Sequence, residues 1–396
     1  MPSAALSQKM FAPVHGYISI ETFEIRKEFV LRLDTVAERL DMENLSERKM
    51  IDSLLREQIE QQLAKWLKEK CPLKVEGETL EMELDRVHFV RPDPVKGMVV
   101  DERENVPASE VIIGVVFAAA LDGPVKSVQV HWDVFPSDDG FSVVAMGTRK
   151  DSKTKKVTPD SAQLTWVYKG GLEVEDLLSL PALPPSKAMK LPVLSVILCM
   201  LALALIALAL RWRDRTPAWL GLALVILLAS AWLVRNRLEI DFPAKAPAIS
   251  PQLADDVVYA LLRNTYRAFD YRRESDIYDV LAKSVAGDLL TKVYLEVQHS
   301  LALASQGGAR ARVYELDLRE CIVAKDGGKG KRGIGFDAKC SWVAIGTVSH
   351  WGHTHDRVNR YQAEISVIVV DGHWKLKKLD LLSQERSIKK SGVKAQ

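Results

Sequence analysis

The sequence predicts an α+β protein in which two globular domains are joined by a two-helix transmembrane hairpin. Two long apolar runs lie near the middle of the 396-residue chain. The part before them combines one helical pattern with many short alternating segments, which is typical of a sandwich-like α+β domain. The part after them has three helical patterns followed by four long alternating segments. That order predicts three helices covering a curved antiparallel sheet.

The N-terminal domain is predicted to cover residues 1–179. From Tyr17 onward the chain alternates between apolar and charged residues, which predicts one long half-buried strand. Its charged face is predicted to carry Glu24, Arg26, Glu28 and Arg32. Asn44 or Ser46 is predicted to cap a helix that ends near Lys70 and packs along one apolar stripe. Short strands separated by turn residues follow it.

A proline-rich linker at 180–190 leads into the predicted hairpin at 191–234. Its two runs, 191–210 and 217–234, approach the roughly 20 apolar residues that a helix needs to cross a bilayer. The turn at 211–216 allows only an antiparallel return, so both flanking domains are expected on one side of the membrane. The runs contain no charged residue, which favours an anchor over a transport pathway.

The hairpin predicts a bacterial inner-membrane location with two spans. Three arginines lie in the short turn, against five lysines and arginines beside the outer span ends. The higher charge density of the turn favours a cytoplasmic turn and external domains, although the totals of three against five leave a small margin. The lack of an apolar signal segment at the N-terminus argues for cytoplasmic domains. A possible cystine argues for extracytoplasmic domains, which is the orientation that we expect.

The C-terminal domain is predicted to cover residues 250–388, with a basic tail at 389–396. Ser250 caps and Pro251 opens its first predicted helix. Charged residues concentrate around the end of that helix, and they suit an ion-pair network or a partner surface. They are Arg263, Asp270, Arg272, Arg273 and Asp276.

Bulk composition excludes several classes of function. The net charge is +2 and 27% of the residues are charged, so a strongly basic nucleic-acid binder is not expected. The chain has no serine elbow, zinc-protease motif or phosphate-binding loop. We therefore expect no enzyme and no cofactor. Were there an enzyme in the C-terminal domain, the helix carboxylates to examine first would be Asp276, Asp279 and Glu296.

Three histidines lie close together at a predicted strand–turn–strand junction: His350, His353 and His355. Imidazoles are ligands for zinc, copper and nickel, so these residues are a candidate metal site. The alternative is a polar turn whose side chains bind neighbouring backbone groups.

Cys321 and Cys340 flank a glycine- and lysine-rich turn at similar distances from its centre. Counting outward from the turn places them opposite each other on adjacent strands. They could form a disulfide, or they could remain reduced and buried.

Aromatic residues are frequent in the C-terminal domain, and some of them are candidates to line a ligand cavity. The candidate lining residues are Tyr266, Phe269, Tyr278, Trp342, Tyr361 and Trp374. A cavity with apolar walls and polar edges is the usual site for a small molecule, so a small-molecule ligand is a possible partner.

The closing pattern DGHWKL (Asp371–Leu376), with the order of three helices and four strands, resembles the nuclear-transport-factor-two-like superfamily. This resemblance implies a cone-shaped α+β fold and leaves its function open, because the superfamily includes enzymes, ligand binders and interaction modules.

The stretches HGYISIETFEIRKEFVLRLD, VPASEVIIGVVFAAAL and TPDSAQLTWVY resemble the extracytoplasmic region of HupE/UreJ-like membrane proteins. The two-helix hairpin departs from that family's multi-helix transport domain, so metal transport is not implied. The whole arrangement resembles a group of bacterial membrane proteins.

These features together predict a membrane-anchored, non-catalytic protein. It would present two interaction domains on one membrane face and assemble or scaffold an envelope complex. Its expected partners are the lipid bilayer and other membrane or envelope proteins. The alternative function is a small-ligand or metal-binding accessory protein for transport.

Overall fold

The computed structural model describes residues 14–40, 42–93, 97–135, 140–147, 152–168, 176–183, 189–211, 218–234, 239–242, 249–305, 310–324, 334–350 and 353–388. The predicted basic tail at 389–396 lies outside these residues. The chain divides into two compact units. The larger unit comprises Met1–Pro181, Pro251–Lys325 and Gly335–Gln396, and the smaller one comprises Ala182–Ser250 and Asp326–Ile334.

The described residues form the following α-helices and strands. The α-helices are α1 (Leu33–Val36), α2 (Ser53–Lys70), α3 (Val193–Arg211), α4 (Ala218–Leu233), α5 (Pro251–Arg267), α6 (Glu274–Ser284) and α7 (Asp288–Ser305). The strands are β1 (Val14–Ile20), β2 (Glu24–Arg32), β3 (Met50–Ile51), β4 (Leu73–Val75), β5 (Glu78–Thr79), β6 (Glu83–Asp93), β7 (Gly97–Val100), β8 (Val106–Pro107), β9 (Ile112–Ala120), β10 (Ser127–His131), β11 (Phe141–Gly147), β12 (Ser152–Val157), β13 (Gln163–Val167), β14 (Met189–Pro192), β15 (Glu239–Phe242), β16 (Arg310–Val323), β17 (Gly335–His350), β18 (His353–Val370) and β19 (His373–Ile388).

The N-terminal part of the larger unit is built on a seven-stranded sheet with the order β12-β11-β1-β2-β9-β6-β7. The pair β1–β11 is parallel, and the other pairs are antiparallel. A four-stranded sheet, β13-β10-β4-β5, lies beside it. Both sheets and α2 contribute to one hydrophobic core, which includes Phe29, Leu63 and Trp132. This shared core explains why β1, β10, β11 and β13 alternate between buried and more exposed residues. Strands β2 and β9, in contrast, are buried along nearly their whole length.

The single long strand predicted from Tyr17 is wrong. The structure has a hairpin of β1 and β2 instead, with Ile20 opposite Ile25 across a tight turn. The prediction that the charged face of this strand meets solvent is wrong as well. Glu24, Arg26 and Glu28 are only 0%, 3% and 4% exposed. The sheet therefore buries both faces at β2, one of them polar.

Helix α2 begins later than the sequence predicts. Asp52 is its N-cap, and the Asp52 side chain accepts a hydrogen bond of 2.8 Å from the Leu55 N–H. Asn44, a predicted cap, has a positive φ of 58° in the preceding loop. Three leucine or isoleucine residues of the predicted apolar stripe are buried against the sheets, namely Ile59, Leu63 and Leu67.

The C-terminal part of the larger unit has α5, α6 and α7, followed by the antiparallel sheet β16-β17-β18-β19. Helix α5 buries one face, which includes Val257, Val258 and Leu261. Register shifts interrupt the β16–β17 and β18–β19 pairs at two places each. Such bulges bend long strands, which lets a sheet curve over the helices that it covers.

The smaller unit contains the antiparallel pair β14–β15 and the helices α3 and α4. Ala202 and Ala231 are buried between these helices, and the Ser195 hydroxyl donates a hydrogen bond of 2.7 Å to the Ala231 carbonyl oxygen. Small residues and this hydrogen bond therefore lie at the contact between α3 and α4.

The described residues of 191–234 do not show the predicted transmembrane hairpin, so the predicted fold class is wrong in this element. Within the part of the chain that the structure describes, no helix is both long enough and apolar enough to cross a membrane. The first apolar run begins in β14, so only part of it is helical. Helix α3 has 19 residues and is about 28 Å long, and its last residue is the charged Arg211. Helix α4 has 16 residues, about 24 Å, against a hydrocarbon core of about 30 Å. The predicted membrane character and two-span inner-membrane location are therefore wrong too.

Candidate functional site

The candidate metal site is at the turn between β17 and β18. His350 is directly opposite His353, and His355 is opposite Val348. The side chains of all three histidines lie outside the described residues. Among the side chains that are described, no group of three or more histidines, cysteines or carboxylates could hold a metal ion. The histidine site therefore stays a prediction.

The two predicted partner cysteines are directly opposite each other on β16 and β17. The Sγ atoms of Cys321 and Cys340 lie 2.7 Å apart, and both residues are free thiols. The hydrogen bond to Cys321, together with burial, raises the pKa of the Cys340 thiol. Cys340 therefore keeps its proton at neutral pH, and the disulfide remains a prediction for an oxidising compartment.

The six candidate cavity residues divide into two sets. Trp342 Nε1 donates a hydrogen bond of 3.2 Å to Tyr266 Oη, and the Trp342 and Tyr361 rings stack with their centroids 5.3 Å apart. Phe269 lies beside Tyr266, at a centroid distance of 6.4 Å. Burial raises the pKa of the Tyr266 phenol. The structure therefore brings these four residues together as a hydrogen-bonded aromatic cluster.

The other two candidates lie elsewhere. Tyr278 is 48% exposed and contacts Tyr294 at a centroid distance of 5.9 Å. Trp374 is 1% exposed and packs edge-on against Phe336 at 6.0 Å. The six predicted residues therefore do not line one common site.

A cavity of about 390 Å³ lies between α5 and β16, where the sequence had not predicted one. Five carboxylate side chains line it, against a single arginine. The lining residues are Asp255, Asp256, Tyr259, Glu315, Leu316, Asp317, Leu318, Arg319 and Glu320. Arg319 forms an ion pair of 2.6 Å with Asp317. None of the predicted cavity residues, and none of the three helix carboxylates at 276, 279 and 296, contributes to this lining.

A fully buried carboxylate lies where the N-terminal and C-terminal parts of the larger unit meet. Glu24 of β2 is 0% exposed, and two arginines from the C-terminal part bind it. Arg272 donates to Glu24 Oε1 at 3.1 Å and to Asp85 Oδ1 at 2.8 Å. Arg312 donates to Glu24 Oε2 and forms an ion pair of 3.2 Å with Glu21. We call these five residues the ionic junction.

Electrostatics favour the charged form of both arginines of the ionic junction. Burial alone would lower the pKa of Arg312, but Glu21, Glu24 and Asp270 raise it above the ordinary value. Asp85 and Glu24 likewise raise the pKa of Arg272 against the effect of burial. Each arginine bridges two carboxylates, which fixes its guanidinium in one orientation.

Further contacts continue the interface around the ionic junction. The Phe23 and Tyr271 rings stack at a centroid distance of 4.0 Å, and the Arg267 guanidinium lies 5.9 Å from the centre of the Phe23 ring. Burial raises the pKa of Asp270, which pairs with Arg267 at 2.9 Å. Arg273 reaches Asp122 at 2.7 Å. Ionic and aromatic contacts therefore both join the two parts.

Charge density in the sequence had indicated part of this interface. The network that was predicted around the end of the first C-terminal helix is confirmed for Arg272, Arg273 and Asp270. Their partners in the N-terminal part were missed. The only signal for Glu24 was its place in an alternating strand, which wrongly indicated a solvent-exposed side chain.

A second contact between the two parts involves Leu178, just before the proline-rich linker, and Pro181 at the start of that linker. Asn264 of α5 is 3% exposed. Its side-chain oxygen accepts a hydrogen bond of 2.7 Å from the Leu178 N–H, and its nitrogen donates one of 3.0 Å to the Leu178 carbonyl oxygen. Trp374 Nε1 donates to the Pro181 carbonyl oxygen at 3.0 Å. The segment is therefore bound through its backbone.

No protein-family model matches the sequence, and no curated protein matches it. Among solved structures, the chain is similar to the crystal structure of the intermembrane space region of the chloroplast protein ARC6. The two are 18% identical, the match covers 35% of this chain and 99% of that one, and the TM-score is 0.25. A likeness at this TM-score carries no argument about fold or function.

Proposed function

We propose that this chain is a non-catalytic assembly or scaffolding protein whose two α+β parts work as a single interaction body. The observation that carries the proposal is the ionic junction, in which Arg272 and Arg312 converge on the fully buried Glu24. Buried ion pairs contribute little net stability, because desolvation offsets most of the attraction between the charges. Their better supported role is to select one arrangement over its alternatives.

Two further observations support a fixed arrangement of the two parts. Each arginine bridges two carboxylates, and removal of any one of them would leave a buried charge without its full set of partners. The Phe23–Tyr271 stack adds apolar contact beside the charges. A protein that must hold two surfaces in a constant relation to its partners needs such an orientation-specific interface.

The experiment is quantitative affinity capture with the tagged full chain after chemical crosslinking, followed by reciprocal capture with each recovered partner. We expect defined partners for the unmodified chain and for Arg319→Ala, which removes an exposed ion pair. We expect recovery of those partners to fall about tenfold for Arg312→Ala, because the two parts no longer keep one arrangement. Recovery of the chain alone, or the same partners at the same level with both variants, would contradict the proposal.

The small-ligand or metal-binding alternative has less support. The cavity between α5 and β16 is acidic and contains none of the six aromatic residues from which a ligand site was predicted. The aromatic cluster around Tyr266 instead satisfies its own polar groups by hydrogen bonds within the cluster. We therefore do not advance this alternative.

A further inference from the structure

The segment 176–181 lies along the C-terminal part without forming a helix or a strand. Its hydrogen bonds to Asn264 and Trp374 all involve backbone atoms of the segment. Leu178, whose backbone forms two of the hydrogen bonds, is 39% exposed, so its side chain contributes little to binding. Leu177 and Leu180 are half-buried, whereas Ser179 is exposed. The segment therefore docks through its main chain and one apolar edge.

The two side chains that hold the segment differ in chemistry in a way that suits a proline-containing ligand. The Asn264 amide has both a donor and an acceptor, and it matches the N–H and C=O of a residue other than proline. The Trp374 indole is only a donor, and it matches the carbonyl of a proline, which has no N–H. Asn264 therefore requires a free backbone amide, and Trp374 requires only a carbonyl three residues later, which proline supplies as well as any other residue.

The spacing of the bonds indicates the conformation that is recognised. The carbonyl groups of Leu178 and Pro181 are three residues apart, and both accept hydrogen bonds from the same cradle. A polyproline II helix has three residues per turn, so its carbonyls recur on one side with this spacing. Aromatic-lined grooves that donate hydrogen bonds to such helices are a recurring mode of peptide recognition.

The position of Asn264 supports a binding role over a packing role. It lies on the buried face of α5, where Leu261 and Leu262 are 0% and 2% exposed. An amide at such a position needs hydrogen-bond partners. Both of its polar atoms bond to a residue 86 positions away in the sequence and to an otherwise irregular segment. The Asn264 side-chain amide therefore binds the backbone of this segment.

We propose that Asn264 and Trp374 form a binding cradle for an extended, proline-containing segment of a partner protein, and that residues 176–181 occupy it as an internal ligand. The partner segment displaces the internal one and takes over its three backbone hydrogen bonds. This inference rests on the proposed interaction function, since it names the chemistry of one partner. Both residues of the cradle, Asn264 and Trp374, belong to the C-terminal part.

A direct test must weaken the internal ligand, because a tethered segment competes at an effective concentration on the order of millimolar. The variant Leu178→Pro in the full chain removes the N–H that Asn264 accepts from. Proline keeps the segment extended, since it restricts the preceding residue to extended conformations. Leu178→Ala is the matched control, because it removes an exposed side chain and keeps the N–H.

The probe is a fluorescein-labelled peptide with the sequence of residues 176–183, and the readout is fluorescence anisotropy. We expect Leu178→Pro to bind the peptide at least about tenfold more tightly than the unmodified chain or Leu178→Ala does, because the cradle is no longer occupied. Adding Asn264→Ala to Leu178→Pro should abolish this binding. A peptide that carries proline at the position of Leu178 should not bind.

Equal binding by Leu178→Pro and the unmodified chain, or no binding by a folded Leu178→Pro protein, would overturn the proposal. If Leu178→Pro does not fold, the double variant Leu177→Ser/Leu180→Ser weakens the apolar edge of the internal segment and is subject to the same criteria.

Hydrogen exchange gives a second measurement: the Leu178 amide should exchange about tenfold faster in Asn264→Ala. Unchanged exchange there would also refute the cradle. Failure of the peptide tests leaves the capture experiment on Arg312 unaffected, so the two proposals can fail separately.

Discussion

Replacing Arg312 by alanine should destabilise the larger unit far more than removing an exposed arginine does. Arg312 bridges Glu21 and Glu24, and its own side chain is only 12% exposed. Removal of one member of a buried ion pair costs about 3–5 kcal/mol, because the remaining charge stays buried without its partner. Arg272 still binds Glu24 in this variant, so we expect the lower end of that range, about 3 kcal/mol.

The assay is urea unfolding followed by circular dichroism, with the free energy of unfolding obtained by linear extrapolation. The control is Arg319→Ala, whose side chain is 64% exposed and pairs with a half-exposed Asp317. An exposed pair contributes about 1 kcal/mol or less, so the control should be nearly neutral.

A double-mutant cycle tests whether the effect belongs to the ionic junction. Glu24→Ala and Arg312→Ala share a direct contact, so the double variant should be less destabilised than the sum of the single variants by about 1 kcal/mol or more. The reasoning is refuted if Arg312→Ala and Arg319→Ala have the same unfolding free energy, or if the cycle shows that the two residues act independently.

Three further outcomes are expected. Burial raises the pKa of Glu60 from its ordinary 4.5 to about 7. The folded chain therefore holds a proton that the unfolded chain releases, so the free energy of unfolding falls as the pH rises from about 4.5 to about 7. In urea unfolding, Glu60→Gln should raise the free energy of unfolding by on the order of 1–2 kcal/mol at alkaline pH and leave it unchanged at acidic pH. A disulfide-exchange oxidant should join Cys321 to Cys340, 19 positions apart, with the loss of two hydrogens by mass spectrometry and a stabilisation of about 3 kcal/mol; an unchanged mass would contradict this. Gly346→Ala would place a Cβ only 1.9 Å from a carbonyl oxygen of the adjacent strand, whereas Gly123→Ala meets nothing within 4 Å, so thermal melting should show a large destabilisation for the first variant alone.

Local periodicity was sufficient to predict helices with a strong apolar stripe. In α2, Ile59, Leu63 and Leu67 recur at helical spacing, and all three are 0% exposed. The start of this helix was not predictable from the stripe, because Asp52 and two other polar residues upstream, Asn44 and Ser46, are all acceptable N-caps. The choice among them depends on the backbone of the preceding loop.

The buried polar face of β2 could not be predicted from local pattern. Glu24 and Glu28 lie in an alternating pattern, which is typical of a strand with one solvent-exposed face. The residues that cover Glu24 are 248 and 288 positions further along the chain. No window of a few residues contains that information. For the same reason, charge density around Arg272 indicated an ion-pair network without identifying its partners.

The two apolar runs do not by themselves define membrane spans. Hydropathy alone does not show where a helix begins, and the structure assigns Leu191 and Pro192 to β14. In the candidate cradle, Asn264 was missed because a single amide in a helix has many ordinary explanations. The available signal was its position on the apolar face of α5, between residues whose spacing predicts burial.

The long separation between the members of the ionic junction has a consequence for synthesis on the ribosome. Glu24 emerges 288 residues before Arg312, which corresponds to roughly 15–60 s at about 5–20 residues per second. During that interval the face of the nascent N-terminal sheet that carries Glu24 would present this carboxylate to water, until the C-terminal arginines cover it. An apolar face of that size would invite aggregation or chaperone capture, whereas a charged one stays hydrated until its arginine partners are translated.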